Sequence, residues 1–176
     1  MRTIKRRRKE GKTDYSRRIT MLKGNMPRLV FRKTNKYLMA QYIISKEAQD
    51  RIEFGVSSKK LINYGWSKEA GGSLKSIPAS YFLGLLIGKI IVENKLKNPI
   101  LDLGMYQVLP KSKIHAFIKG VVDSGVILKH ENKLFPEEDK IKGKYLKNKI
   151  QFEEIKTKIN ASKIKLTNEP KKVGKK

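Results

Sequence analysis

The segment IPASYFLGLLIGKIIVENK, residues 77–95, most restricts what this chain can become. Pro78 stands where a helix can begin, because its fixed φ suits the first turn and its missing N–H is not needed there. The residues that follow are apolar nearly all round a helix, which marks the helix as buried. Its most apolar stretch, YFLGLLIGKIIV, is twelve residues long and contains Lys89. A bilayer span takes about twenty, so a soluble domain is expected. Ser80, Gly84 and Gly88 recur every four residues along one side of this helix. Small residues at that spacing predict close approach of the helix to a sheet.

The remaining patterns supply that sheet. RLVFRKT and KYLMAQYII read as a hairpin around a KTNK turn, and RIEFGVS as a third strand. SKKLINYG predicts a short helix capped by Ser57 or Ser58 and stopped by Gly65, followed by the loop WSKEAGGSLKS. NPILDLG reads as a short buried strand. SKIHAFIKGVVDSG is an amphipathic helix with Ile114, Phe117, Ile118, Val121 and Val122 on one face, ended by Gly125. VILKH is expected to add a short final strand. The result is an α/β layered domain, with the first three strands antiparallel and the later ones joined through helical crossovers.

The two ends differ from this middle. Residues 1–26 hold little that can be buried, and their dense cations predict disorder until a partner neutralises them. Helical turns are expected around TDYSRRITMLK, with Thr13 or Asp14 as the cap. From Glu131 the chain is Lys-rich, with helix expected between Lys140 and Ile159 and a frayed end, EPKKVGKK. The boundaries are thus a basic arm over 1–26, an α/β domain over 27–130 and a C-terminal extension over 131–176.

Charge follows the same division. The chain has 41 Lys and Arg against 16 Asp and Glu, a formal net charge of +25. Residues 1–36 hold fourteen basic and two acidic residues, and residues 143–176 hold eleven and three. Most of the excess therefore lies at the ends, the pattern of a polyanion binder. The absence of cysteine removes disulfides and thiolate metal sites and fits a reducing compartment. The basic N-terminus lacks the apolar core of a secretory signal.

Little here suggests catalysis. His115 and His130 are the two histidines, and neither forms a HxxxH or HxxE pair. Asp102 ends a buried strand, where α/β folds often place functional groups, and it reads more simply as a loop or cap acceptor. A metal-dependent nuclease needs several converging carboxylates. Asp102, Asp123 and Glu93 show no such spacing, and Glu137 and Glu138 lie in the polar tail. No catalytic residue, metal site or cofactor is assigned. Tyr64 and Trp66 either stack on bases or anchor their loop, and Gly71 with Gly72 either admits a phosphate or simply flexes.

The cations carry more information. RRRK at 6–9 and RR at 17–18 lack the interleaved acids of an ordinary solvated surface. Arg28 and Arg32 lie four residues apart on a strand, so they share a face about 13 Å apart at ~3.3 Å per residue. That separation would let them bridge two phosphates of a nucleic-acid backbone, with Lys33 and Lys36 adding charge at the turn.

RRRKEGKTDYSRR, PRLVFRKTNKYLMAQYI, YGW, IPASYFLGLLIGK and PEEDKIKGKYL, in this order, resemble the family of universal large-subunit ribosomal protein number eighteen. The likeness is to its archaeal and eukaryotic branch and covers about residues 5–147. It implies a mixed-sheet fold of ribonuclease H-like topology without that enzyme's catalysis. It further implies binding of 5S rRNA in the central protuberance of the large subunit, beside large-subunit protein number five and near 23S rRNA, in the cytoplasm. RNA contacts carry over to Arg6, Arg7, Arg8, Lys9, Lys12, Tyr15, Arg17 and Arg18 in the arm. In the hairpin they carry over to Arg28, Arg32, Lys33, Thr34, Asn35 and Lys36. Neither a membrane nor a small-molecule substrate is implied. The competing readings are a metal-dependent nuclease on a ribonuclease H-like scaffold and a basic DNA architectural protein.

Overall fold

In a computed structural model, which describes residues 3–47, 49–66, 73–146 and 150–162, the predicted hairpin forms as β1 (Arg28–Lys33) and β2 (Leu38–Lys46). They run antiparallel, with Arg28 opposite Ile43 and Lys33 opposite Leu38. Thr34 closes the turn. Its N–H donates to the Tyr37 carbonyl at 2.9 Å, and its hydroxyl donates to the same oxygen at 2.7 Å while accepting the Tyr37 N–H at 3.0 Å. β3 (Gln49–Ser57) pairs antiparallel with β2, with a register shift beside Tyr42 and Ile43. β4 (Ile100–Asp102) pairs parallel with β1 and sets Asp102 opposite Val30. The sheet is therefore mixed, in the order β3-β2-β1-β4.

VILKH forms no strand. Its alternation is present, since Val126 and Leu128 are buried and Ile127 is exposed, but no strand among the described residues pairs with it. Alternating burial needs a packed surface on one side, whereas a strand also needs an open ladder beside it.

The helices take their labels in chain order: α1 (Arg6–Lys9) and α2 (Tyr15–Lys23) lie in the arm, and α3 (Ile77–Glu93) and α4 (Lys113–Asp123) lie in the domain. Ser76 caps α3 by accepting the Ala79 N–H at 3.4 Å, and Pro78 lies in the first turn. Every residue of α3 from Pro78 to Gly88 is buried, as its all-round apolarity requires. One face of the sheet supplies Leu29, Phe31, Leu38, Ala40, Tyr42, Phe54 and Val56 to this core. Phe31 meets Phe117 of α4 with ring centroids 4.7 Å apart.

The Ser80–Gly84–Gly88 stripe faces α4, not the sheet. The Ser80 hydroxyl donates to the Lys113 carbonyl at 2.6 Å, a Cβ at Gly84 would overlap the Phe117 carbonyl, and one at Gly88 would overlap Ser124. Contacts that advance together along both chains mean that α3 and α4 run parallel. Gly120 answers from the other side, where a Cβ would overlap the Tyr81 carbonyl. Two backbones this close need glycine because no side chain fits between them. Gly84→Ala should destabilise the domain by about 1–3 kcal/mol through overpacking. Thermal or urea unfolding measures the loss, and an unchanged midpoint would show that the helices separate freely.

The boundary expected after residue 130 does not coincide with the edge of the core. α5 (Glu138–Ile141) buries Ile141, and α6 (Phe152–Ala161) buries Ile155 and Ile159. The Phe152 ring lies 4.8 Å from Phe82 and 5.6 Å from Tyr81. Lys89, the cation within the apolar run, donates to the Ile159 carbonyl at 2.7 Å and also to that of Asn160. Its charge thus meets the negative end of α6, where a lysine is favourable. The lysines of this segment hid an apolar spacing of Ile155 and Ile159 that fits one helix face. EPKKVGKK lies outside the described residues. Among the described residues no helix is long and apolar enough to cross a membrane.

Candidate nucleic-acid interface

The arm is more ordered locally than its charge predicts. Asp14 caps α2 by accepting the N–H groups of Ser16 at 3.0 Å and Arg17 at 3.2 Å, which supports the capping expectation. Neither arm helix buries a residue. Glu10 partly offsets the charge through Arg6 at 3.0 Å and Lys12 at 2.7 Å. Arg7 donates to the Thr13 hydroxyl at 3.0 Å, and the Lys5 ammonium stands 4.7 Å from the Tyr15 ring. Arg8 and Lys9 are exposed and have no carboxylate partner among the described residues. The arm meets the domain through Arg17, which donates to the Gly104 carbonyl at 3.4 Å, and Arg18, which pairs with Asp50 at 2.9 Å.

Arg28 does not belong to an exposed cation row. Its side chain is 3% exposed; one nitrogen pairs with Asp102 at 2.9 Å, and the other reaches Asp50 and, at 3.1 Å, the Ser45 hydroxyl. Its Nε is buried with no hydrogen-bond partner among the described residues. Arg28 and Arg32 do share a strand face, as the two-residue period requires. Both converge on Asp102 instead of spacing two phosphates, because β4 places that carboxylate on the same face beside Val30. Arg32 holds the Asp102 carbonyl at 3.0 Å and its carboxylate at 3.5 Å, yet remains 39% exposed. Asp102 also accepts the Gly104 N–H at 2.8 Å, the loop-acceptor role. Burial pushes the Asp50 carboxyl up, but hydrogen bonds from Ser45, Arg28 and Arg18 outweigh it and hold that group below its ordinary value.

At the hairpin tip Lys33, Asn35 and Lys36 are exposed, while the Thr34 hydroxyl is used within the turn. Lys33 stands 5.7 Å from the Tyr106 ring, and Lys59 stands 4.5 Å from that of Tyr37. Lys75 donates to the Asn35 carbonyl at 2.9 Å and so ties the start of α3 to the tip. Burial pushes the Lys113 ammonium down, and the charges of Lys33 and Lys75 push it further. Lys59, Lys75 and Lys113 were not legible as neighbours of the hairpin tip, since they lie in three different segments of the chain. The available hint was that Lys75 and Lys113 are adjacent to Ser76 and Ser112, which stand at the N-terminal ends of α3 and α4.

The remaining candidates are structural. His115 is buried, with Nδ1 3.3 Å from the Ser112 hydroxyl, and burial lowers its pKa. His130 lies with Nδ1 2.8 Å from the Leu128 carbonyl and stacks on Phe135. Trp66 is buried edge-on to Phe82, which decides for the loop anchor over base stacking, and Tyr64 packs partly buried against the core. Gly71 and Gly72 lie outside the described residues. Among the described residues no three His, Asp or Glu side chains gather as a metal site would require.

Residues 1–99 match the family described as "Ribosomal large subunit proteins 60S L5, and 50S L18". This chain belongs to that family. Among curated relatives, large ribosomal subunit protein uL18 of Methanothrix thermoacetophila is 37% identical over 160 residues, covering 88% of this chain and 92% of the relative. The uL18 protein of Korarchaeum cryptofilum is 38% identical over 141 residues, 80% of this chain and 70% of the relative. That of Caldivirga maquilingensis is 37% identical over 142 residues, 80% and 67% respectively. These archaeal sources fit the archaeal branch of the 60S L5 and 50S L18 family. The matched region contains the arm, the hairpin and α3, and thus every residue expected to contact RNA in this family member.

Proposed function

We propose that this member of the L5/L18 family is a non-catalytic constituent of the large ribosomal subunit that binds 5S rRNA. In that reading it helps fix the RNA in the central protuberance, beside large-subunit protein number five and near 23S rRNA, in the cytoplasm. The single observation that carries the RNA reading is the set of exposed, acid-free cations on the arm and the hairpin tip, Arg8, Lys9, Lys33 and Lys36. Such cations bind phosphate by neutralising it and releasing counterions. The names of the relatives support the ribosomal setting. Arg6, Arg7, Lys12, Tyr15, Arg17, Arg18, Arg32 and Asn35 complete the proposed surface, and Arg28 and Thr34 support it from within.

The strand order, three antiparallel strands with β4 parallel to β1, is consistent with ribonuclease H-like topology. The nuclease alternative gains nothing from Asp102, whose oxygens are occupied by Arg28, Arg32 and the Gly104 N–H. A carboxylate held this way is poorly placed to accept a metal ion.

Competition titrations with 5S rRNA, 23S rRNA fragments and duplex DNA test the proposal. Preferential binding of 5S rRNA that weakens steeply with salt is expected. Equal affinity for duplex DNA would favour an architectural DNA protein, and metal-dependent cleavage of the RNA would favour the nuclease.

A further inference from the structure

The fold gathers three lysines that the sequence keeps far apart. Lys33 ends β1, Lys75 immediately precedes the cap of α3, and Lys113 opens α4. Because α3 and α4 run parallel, both begin at the edge of the sheet that carries the hairpin tip. The Lys75 bond to the Asn35 carbonyl fixes that edge in place. Lys36 extends the cluster into solvent. Among the described residues none of these four lysines has a carboxylate partner, although thirteen ion pairs occur elsewhere among those residues.

Like charges brought together without counter-ions oppose folding, since each loses hydration and repels the others. Their mutual effect is felt at Lys113, whose ammonium is disfavoured by burial and by Lys33 and Lys75. The positive ends of the two helix dipoles add to the same potential. An external anion relieves this repulsion, and the groups present are suited to phosphate: several ammonium donors, a solvent-facing rim and no carboxylate paired with them among the described residues.

We infer that Lys33, Lys75 and Lys113 form a seat for the phosphodiester backbone of RNA, separate from the arm. This inference rests on the RNA-binding reading above and extends the hairpin-tip cations, through Lys75 and Lys113, into a patch that orients the RNA against the body of the domain. Two contact regions, one on the arm and one running from the hairpin tip to the start of α3 and α4, would fix the direction of the bound strand as well as its affinity.

The test compares the full chain with Lys113→Gln, the Lys75→Gln/Lys113→Gln double variant and Lys113→Arg, titrated with 5S rRNA at several salt concentrations. The double variant should bind roughly tenfold more weakly near physiological salt, with the slope of log affinity against log salt shallower by about 1.4–1.8 for two lost phosphate contacts. Lys113→Arg should retain the wild-type slope. Without RNA the melting temperature of Lys113→Gln should stay level or rise, because a repulsive charge is gone. A double variant with wild-type affinity and slope would overturn the seat while leaving RNA binding intact. Absence of salt-dependent binding by the wild type would sink the RNA reading and the seat together.

Discussion

Arg28→Met is expected to destabilise the domain by about 3–5 kcal/mol, the usual consequence of removing one partner from a buried ion pair. The substitution keeps most of the side-chain volume, so the effect isolates the charge. It leaves Asp102, whose side chain is 6% exposed, with Arg32 at 3.5 Å and the Gly104 N–H as its remaining polar partners. It also removes one of the hydrogen bonds that keep Asp50 ionised. For a chain of this size the melting temperature should fall by roughly 10 °C. Adding Asp102→Leu should recover part of the loss, since removing both charges avoids an unpaired one. Arg28→Lys, measured where it remains folded, should bind RNA within about twofold of wild type, because a side chain this buried does not reach a ligand. Calorimetry and RNA titration on the three variants check these outcomes. Full stability of Arg28→Met with weakened RNA binding would restore Arg28 as a contact residue.

Removal of residues 1–26 should have the opposite signature, a large loss of binding with little loss of stability. The segment holds ten Lys and Arg against two acidic residues, and neither of its helices buries a side chain. The truncated protein keeps the hydrogen bond from the Ile100 N–H to the Pro27 carbonyl at 2.8 Å, so the pairing of β4 with β1 is not broken at its start. It loses the Arg18–Asp50 pair, a partly exposed contact whose contribution is about 1 kcal/mol at most. If about six of the arm cations neutralise phosphates, the salt slope should shrink by about 4–5, and affinity near physiological salt should fall by roughly a thousandfold. A cooperative unfolding transition close to that of the full chain should persist. Unchanged affinity for 5S rRNA would transfer the main contact to the hairpin and the lysine seat, and loss of cooperative unfolding would make the arm part of the core.

The elements that depend on neighbouring residues were readable in the chain itself. Period-two and period-3.6 patterns specified β1, β2 and α4, because the face a residue takes within one element follows from backbone geometry alone, and unbroken apolarity behind Pro78 specified α3. Asp14, Ser57 and Gly65 marked helix ends through local hydrogen bonds or a left-handed turn. Net charge and its concentration in the arm pointed to a polyanion without any fold, since long-range electrostatics depends on composition before it depends on shape.

What neighbours in space decide was not readable. The two-residue period put Arg28 and Arg32 on one face correctly, but the parallel pairing of β4 brought Asp102 onto that face and turned a proposed phosphate contact inward. The stripe at Ser80, Gly84 and Gly88 announced a close approach, and the tertiary structure chose α4 as the partner. Ile155 and Ile159 looked like part of a charged tail until α6 met α3, where Lys89 holds its last carbonyls. Lys33, Lys75 and Lys113 became one patch for the same reason. Secondary structure is set by contacts a few residues apart, whereas the sign and partner of a buried or clustered charge depend on segments that only the packed sheet and helices bring together.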